Sequence, residues 1–209
     1  LSKRDESLSI QIMRDRGTEA RAILAYLAKL GSGFAADGTE TLGQLAREID
    51  LGGFGKASPR FDPQELAALN AKVLHHMSFT DVKTRLEAMD LAQADEAFWN
   101  AVRPNLERFA DVATWWRVAR GDVSPPALPA EDRAFLAEAA SLLPPAPWGD
   151  GIWKIWTGAV KDATGRKGKA LFLPLRLALT GEDHGPELAV LLPLIGREKA
   201  LQRLGAAAG

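Results

Sequence analysis

Cysteine is absent from the 209 residues, which excludes disulfides, thiolate nucleophiles and cysteine-ligated zinc. Histidine is scarce, with three residues at 75, 76 and 184. The adjacent pair His75-His76 projects from different faces of a helix and does not converge on one ion as an i,i+4 pair would, so no metal is expected. An excess of one charge is also missing. The formal net charge is −1, so a nucleic-acid partner has to be argued from local clusters and not from bulk charge. No apolar run reaches the roughly 18 residues of a membrane span. The longest, Leu171 to Leu179, is interrupted by Pro174 and Arg176. The chain opens on Leu1, followed by Ser2, Lys3, Arg4, Asp5 and Glu6, where a signal peptide would need an apolar stretch. A cytoplasmic, soluble piece of a longer protein, without a membrane partner, is expected.

What is present is helical periodicity. Hydrophobic residues make up 46% and charged residues 25% of the chain, enough for a buried core. Thr18 suits an N-cap with Glu19 in the first turn, and Ile23, Leu27 and Leu30 follow at helical spacing up to Gly31. Thr41 and Gln44 form a capping-box pattern before Leu45 and Ile49. Asp62-Pro63-Gln64-Glu65 is the clearest start signal, leading into Leu66, Leu69, Val73, Leu74 and Met77. Further helices are expected around Val82 and Leu86, from Phe98 with Pro104 bending or ending it, and over Phe109 to Val118. Others are expected around Phe135 to Leu143, from Ile152 to Gly165, over Gly185 to Leu194, and from Arg197 to Leu204. Asp122 to Pro129 carries three prolines and reads as a linker. No alternating β-branched segment appears. The fold expected is all-α, roughly a dozen short helices in two or three bundles.

Most local features have a plain structural explanation. Gly52-Gly53-Phe54-Gly55-Lys56 resembles a phosphate loop, but Asp50 and Ala57 stand where Gly and Ser or Thr are required, and no apolar strand precedes it. Of the six tryptophans, Trp153 and Trp156 lie three apart and read as core, with base stacking open to an exposed one. The segment from Gly151 to Thr180 differs. It holds Lys154, Lys161, Arg166, Lys167, Lys169 and Arg176 against the single acid Asp162, a net of +5. Arg176 interrupts its apolar end, and an arginine there either pairs internally or serves a partner. A guanidinium fork suits bidentate contact with a base edge or phosphate.

The stretch from Gly168 to Gly181, followed by His184-Gly185-Pro186-Glu187-Leu188 and Leu194 to Glu198, resembles the C-terminal signature of bacterial glutamyl-tRNA synthetases, "PLR-x-ALTG … GPEL … LIGRE". Leu1 to Arg4 is similar to the end of that family's K-L-S-K-R variant of the class I KMSKS loop. Phe61-Asp62 and Leu69-Asn70-Ala71-Lys72 match its "FD … LN-x-K" helix. The resemblance covers essentially the whole chain, with residues 79–165 the least diagnostic. It implies an all-α chain with a loop tail and stem-contact domain at 1–78 and two anticodon-binding subdomains at 79–126 and 127–209.

The same resemblance implies site residues. Arg176 matches a reader of an anticodon base, and Gly185, Pro186 and Leu188 match the loop that packs against neighbouring anticodon nucleotides. Gly185 stands where a relative has threonine, which leaves only backbone contact. Thr114 falls where some members carry an arginine that separates glutamate from glutamine tRNAs, with Arg117 close by. Lys72, Lys161, Arg166, Lys167 and Lys169 would hold tRNA phosphates. Lys3, with Ser2 and Arg4, matches the loop that stabilises ATP phosphates. The parent enzyme would join L-glutamate to tRNA(Glu), and in some members to tRNA(Gln), using ATP with magnesium. This piece lacks the catalytic domain and is expected to be a monomer that is inactive alone and needs no cofactor of its own. The competing expectation is an α-helical protein-interaction scaffold without an RNA role.

Overall fold

The computed structural model describes residues 9–30, 32, 37–55, 59–149 and 151–209. Among them are twelve α-helices and no strand, in agreement with the all-α expectation. The chain divides into two compact units. One holds the described residues up to Gln93 together with Arg103–Val112; the other holds Ala94–Val102 and Ala113–Gly209.

The first unit contains α1 (Ile10–Asp15), α2 (Ala20–Lys29), α3 (Leu42–Glu48), α4 (Pro63–His76) and α5 (Phe79–Glu87). Its core is the seam between α2 and α4, where Ile23 and Tyr26 meet Leu66, Leu69 and Val73, with Met13 of α1 alongside. Burying each of these large side chains contributes about 1.5–3 kcal/mol. Tyr26 packs edge-on against Phe61 and its hydroxyl accepts from the Asp62 amide at 2.6 Å. Asp62 caps α4 through the Gln64 amide at 2.9 Å, with Pro63 at the first helical position, as the sequence predicts. The Thr41–Gln44 capping box is also formed.

The start of α2 departs from expectation. Its N-cap is Glu19, one residue beyond Thr18, and makes no side-chain capping bond. The reason is long-range. The Glu19 carboxylate accepts both guanidinium nitrogens of Arg85, at 3.0 and 2.7 Å, and the Glu19 amide donates to Asn70 Oδ1 at 2.7 Å. Arg85 also lies over the Phe109 ring at 3.7 Å. A bidentate pair on an aromatic face outweighs one local cap. Helix α1 has no signature in the sequence, because six residues carry too short a period to register.

The second unit contains α6 (Glu96–Val102), α7 (Val112–Arg120) from its second residue on, α8 (Ala130–Ser141), α9 (Ile152–Thr164), α10 (Lys169–Thr180), α11 (Leu188–Ile195) and α12 (Arg197–Ala208). Helix α6 stops before Pro104 and a single 3-10 turn follows. Residues 122–129 carry no helix, as three prolines dictate. Helix α12 packs against α8 and α10, with Leu136, Leu175, Leu179, Ala200 and Leu204 buried. Trp156 is wholly buried and its indole N–H donates to the Ala139 carbonyl at 2.9 Å.

The sequence shows 169–180 as an interrupted apolar run, yet the segment is a continuous helix with Pro174 inside it. A proline there removes the amide that would bond the carbonyl four residues back. That carbonyl belongs to Ala170, and it accepts from Arg166 Nη1 at 3.2 Å instead. The replacement donor lets the helix run through the proline. Helix α11, expected from Gly185, begins at Leu188 because Gly185 and Pro186 form a separate loop.

Candidate nucleic-acid interface

Helix α10 ends at Gly181, which takes the left-handed conformation with φ +74°. Thr180 Oγ1 accepts from the Glu182 amide at 3.1 Å and turns the chain outward. The loop 182–187 then returns to α11. Arg176, half-buried on α10, is clamped to that loop: Nη1 donates to the His184 carbonyl at 3.1 Å and Nη2 to the Pro186 carbonyl at 3.0 Å. Pro186 and Leu188 are buried, so their side chains anchor the loop from beneath and do not face solvent. Gly185 has φ +110°, and a Cβ added there would lie 1.9 Å from Trp115 Cη2. Trp115 of α7 therefore presses on the Gly185 backbone, and only glycine fits.

Burial lowers the Arg176 pKa below the ordinary arginine value, with nearby Asp183 opposing the shift. The group stays charged at any working pH. Two of its five N–H donors reach the loop carbonyls, and no protein acceptor is recorded for the others among the described residues. The loop tip carries a titratable pair, His184 Nδ1 and Asp183 Oδ1 at 2.7 Å. The hydrogen bond to Asp183 raises the His184 pKa above 6.5, and the carboxylates of Asp183 and Glu182 add to this. The same bond lowers Asp183.

The basic residues separate into two groups. Lys161, Lys167 and Lys169 are exposed, as is Lys154. Arg166 is not available in the same way. It pairs with Asp132, donates to the Glu131 carbonyl at 3.0 Å and stacks over Phe135 with its guanidinium carbon 4.4 Å from the ring centroid. Its partners tie α8 to the start of α10, and its side chain is partly buried, unlike the exposed lysines expected beside it as phosphate contacts. Thr114 is half-buried on α7 and Arg117 is exposed in the last turn of that helix. Lys72 is exposed on α4 in the other unit. Ser2, Lys3 and Arg4 lie outside the described residues, as does Lys56 of the glycine-rich segment. His75 and His76 at the end of α4 bond separate carbonyls, those of Leu106 and Lys72. No group of three metal-ligating side chains occurs among the described residues.

A family model described as an anticodon binding domain matches residues 73–208. The chain belongs to the anticodon-binding domain family. Among curated proteins it is similar to glutamate–tRNA ligase 1 of Brucella canis, 49% identical over 205 residues, covering 97% of this chain and 45% of that protein. It is 50% identical over 207 residues to glutamate–tRNA ligase 1 of Parvibaculum lavamentivorans, covering 98% and 45%. The chain thus spans a little under half the length of the curated relatives it matches. A solved glutamate-tRNA synthetase from Elizabethkingia anophelis shares the fold with a TM-score of 0.72 at 20% identity, covering 94% of this chain and 42% of that one. A glutamate tRNA ligase from Elizabethkingia meningosepticum, in complex with its amino acid, gives 0.75 at the same identity and coverage. The all-α architecture is that of these structures.

Three features of this member of the anticodon-binding domain family escape the sequence pattern. Asp132, on α8, partners Arg166 across 34 residues. Trp115 abuts Gly185 from α7. Arg203 is 4% exposed on α12 and donates to the carbonyls of Leu179 at 2.6 Å and Gly121 at 2.8 Å. No local pattern marks any of them, although an arginine amid Leu204 and Ala207 is a signal of internal pairing. The first unit also holds a cavity of about 400 Å³ whose lining includes Met13, Phe61, Leu66, Asn70, Arg16 and Arg108. Asn70 there accepts from the Glu19 amide and donates to the Glu107 carbonyl.

Proposed function

We propose that this chain is the anticodon-reading C-terminal part of a glutamate–tRNA ligase, and that its second unit binds the anticodon loop of tRNA(Glu). The observation that carries this reading is Arg176. A half-buried guanidinium fixes the 184–188 loop through two carbonyls and keeps further donors in hand. The bases of an RNA loop offer free Watson–Crick edges, and an arginine held in one orientation loses little entropy on meeting one. Gly185 contributes backbone groups alone, because Trp115 excludes a side chain there. Lys161, Lys167 and Lys169 hold phosphates and orient the loop without reading sequence.

The finer assignments belong to the same proposal. Residues 1–78 act as a loop tail and stem-contact domain with Lys72 on the tRNA stem, and 79–126 and 127–209 as successive anticodon-binding subdomains. Lys3, with Ser2 and Arg4, serves ATP and magnesium in the full-length enzyme, which joins L-glutamate to tRNA in the cytoplasm. The 209-residue chain alone is a monomer that binds without catalysing. Thr114 and Arg117 govern whether tRNA(Gln) is also accepted.

Binding of tRNA(Glu) is compared with binding of an anticodon-swapped copy across a salt series. The cognate tRNA binds more tightly, and affinity falls steeply as salt rises. Arg176→Ala lowers cognate affinity about 10- to 100-fold, with a smaller loss of preference for Arg176→Lys. Equal binding of both tRNAs by the wild-type chain defeats anticodon reading, and salt-independent association with no RNA preference supports a protein-interaction scaffold.

A further inference from the structure

Phe172 and Trp153 form an aromatic platform that the Arg176 loop does not account for. Phe172 is 44% exposed on α10, and a lone exposed phenylalanine would need no explanation. This one is not alone. The half-buried Trp153 ring of α9 lies beside it, with centroids 6.1 Å apart and planes tilted by 34°. Trp153 also packs against Trp156, edge-on at 5.7 Å and 71°. Trp156 is in turn fixed in the core by its bond to the Ala139 carbonyl. The exposed ring is therefore the outer member of a three-ring array rooted in the interior, so it is rigid before any ligand arrives.

Its neighbours choose the ligand. Lys169, Phe172 and Arg176 are spaced three and four apart on α10 and share one face. An exposed apolar ring between an ammonium and a guanidinium on one helix face matches one base and its adjoining phosphate. A purely apolar partner would leave those cations unpaired at its edge. We infer that the Phe172–Trp153 pair is a stacking platform for one unpaired nucleobase of the bound RNA loop, separate from the base met by Arg176. This rests on the reading of the second unit as an anticodon-loop binder.

The test titrates the full 209-residue chain with a dye-labelled anticodon stem–loop of tRNA(Glu), and with copies made abasic at one loop position at a time. At one position the wild-type chain should lose about 5- to 150-fold in affinity, the range for one base–aromatic stack. Phe172→Ala should bind the intact loop weaker by a comparable factor and be insensitive to the abasic site at that position. Phe172→Trp should restore both the affinity and the sensitivity. Phe172→Leu, which keeps apolar bulk without an aromatic face, should behave as Phe172→Ala and serves as the deciding variant if that one fails to fold. Wild-type affinity in Phe172→Ala, or its retention of the wild-type pattern of abasic sensitivity, overturns the platform and leaves the Arg176 reading intact. A wild-type chain that binds no stem–loop at any salt overturns both.

Discussion

Arg176 and Arg203 are chemically the same device in two settings. Each is an arginine on a helix of the second unit, each has its pKa lowered by burial, and each donates from both terminal nitrogens to two main-chain carbonyls. Arg203 sits at 4% exposure and serves the end of α10 and the residue after α7. Those are terminal carbonyls with no helical amide to meet them. Arg176 stands half-buried above a loop that leads into α11. The lesson is that neither the residue type nor its hydrogen bonds separates scaffold from site. What separates them is whether donors remain on the solvent side and whether the carbonyls they hold belong to a rigid helix or to a loop with an accessible backbone.

That contrast is sharpest under substitution. Replacing Arg203 with Ala leaves one buried and one partly buried carbonyl without donors and opens space against Leu204, at a cost of about 2–4 kcal/mol in stability. Urea unfolding followed by circular dichroism measures it. The tRNA affinity of the molecules that remain folded should be unchanged. A stability loss for Arg176→Ala as large as that for Arg203→Ala would erase the distinction between the two arginines.

The next largest effect belongs to the loop that Arg176 holds. Gly185→Ala places a methyl 1.9 Å from Trp115 Cη2 at a backbone φ of +110°. Strain and overpacking together cost about 2–3 kcal/mol, and the loop shifts away from Arg176, so RNA affinity falls as well. Trp115→Ala in the same chain should remove the overpacking but not the strain of a left-handed alanine. A double-mutant cycle should then show coupling of about 1–2 kcal/mol between the two positions. Additive losses would mean that Trp115 and Gly185 are not in contact.

These outcomes track what the sequence makes legible. The helices with strong local signals are where the sequence puts them: Asp62-Pro63 opens α4 and Thr41 with Gln44 opens α3. The failures are long-range. Glu19 abandons local capping for Arg85, 66 residues on. Helix α10 runs through Pro174 because Arg166 supplies the missing donor, a compensation that helical periodicity cannot register. The site divides the same way. Arg176 beside the Gly185-Pro186 turn is recognisable as a pattern, and the structure brings them together. The pairing of Arg166 with Asp132, by contrast, depends on folding, and composition alone groups it with the exposed lysines.

The smallest expected effect is electrostatic and lies at the loop tip. His184 is raised above 6.5 chiefly by its hydrogen bond to Asp183, so below that raised value the imidazolium balances the Asp183 carboxylate beside Arg176. As pH rises through it the imidazole becomes neutral, and the Asp183 and Glu182 carboxylates are left uncompensated next to the RNA phosphates. Affinity for an anionic loop must therefore weaken with rising pH, by a few-fold at low salt and by less at high salt, since the pair is fully exposed and screened. His184→Gln should flatten this dependence while the Arg176 contribution persists at every pH, because arginine does not titrate in that range. Anisotropy titrations of tRNA(Glu) between pH 6 and about 8.5, on either side of the ordinary histidine pKa, measure it. An affinity that rises with pH, or a His184→Gln chain with an unaltered profile, would separate the loop tip from the bound RNA and confine recognition to Arg176 and the face of α10 below it.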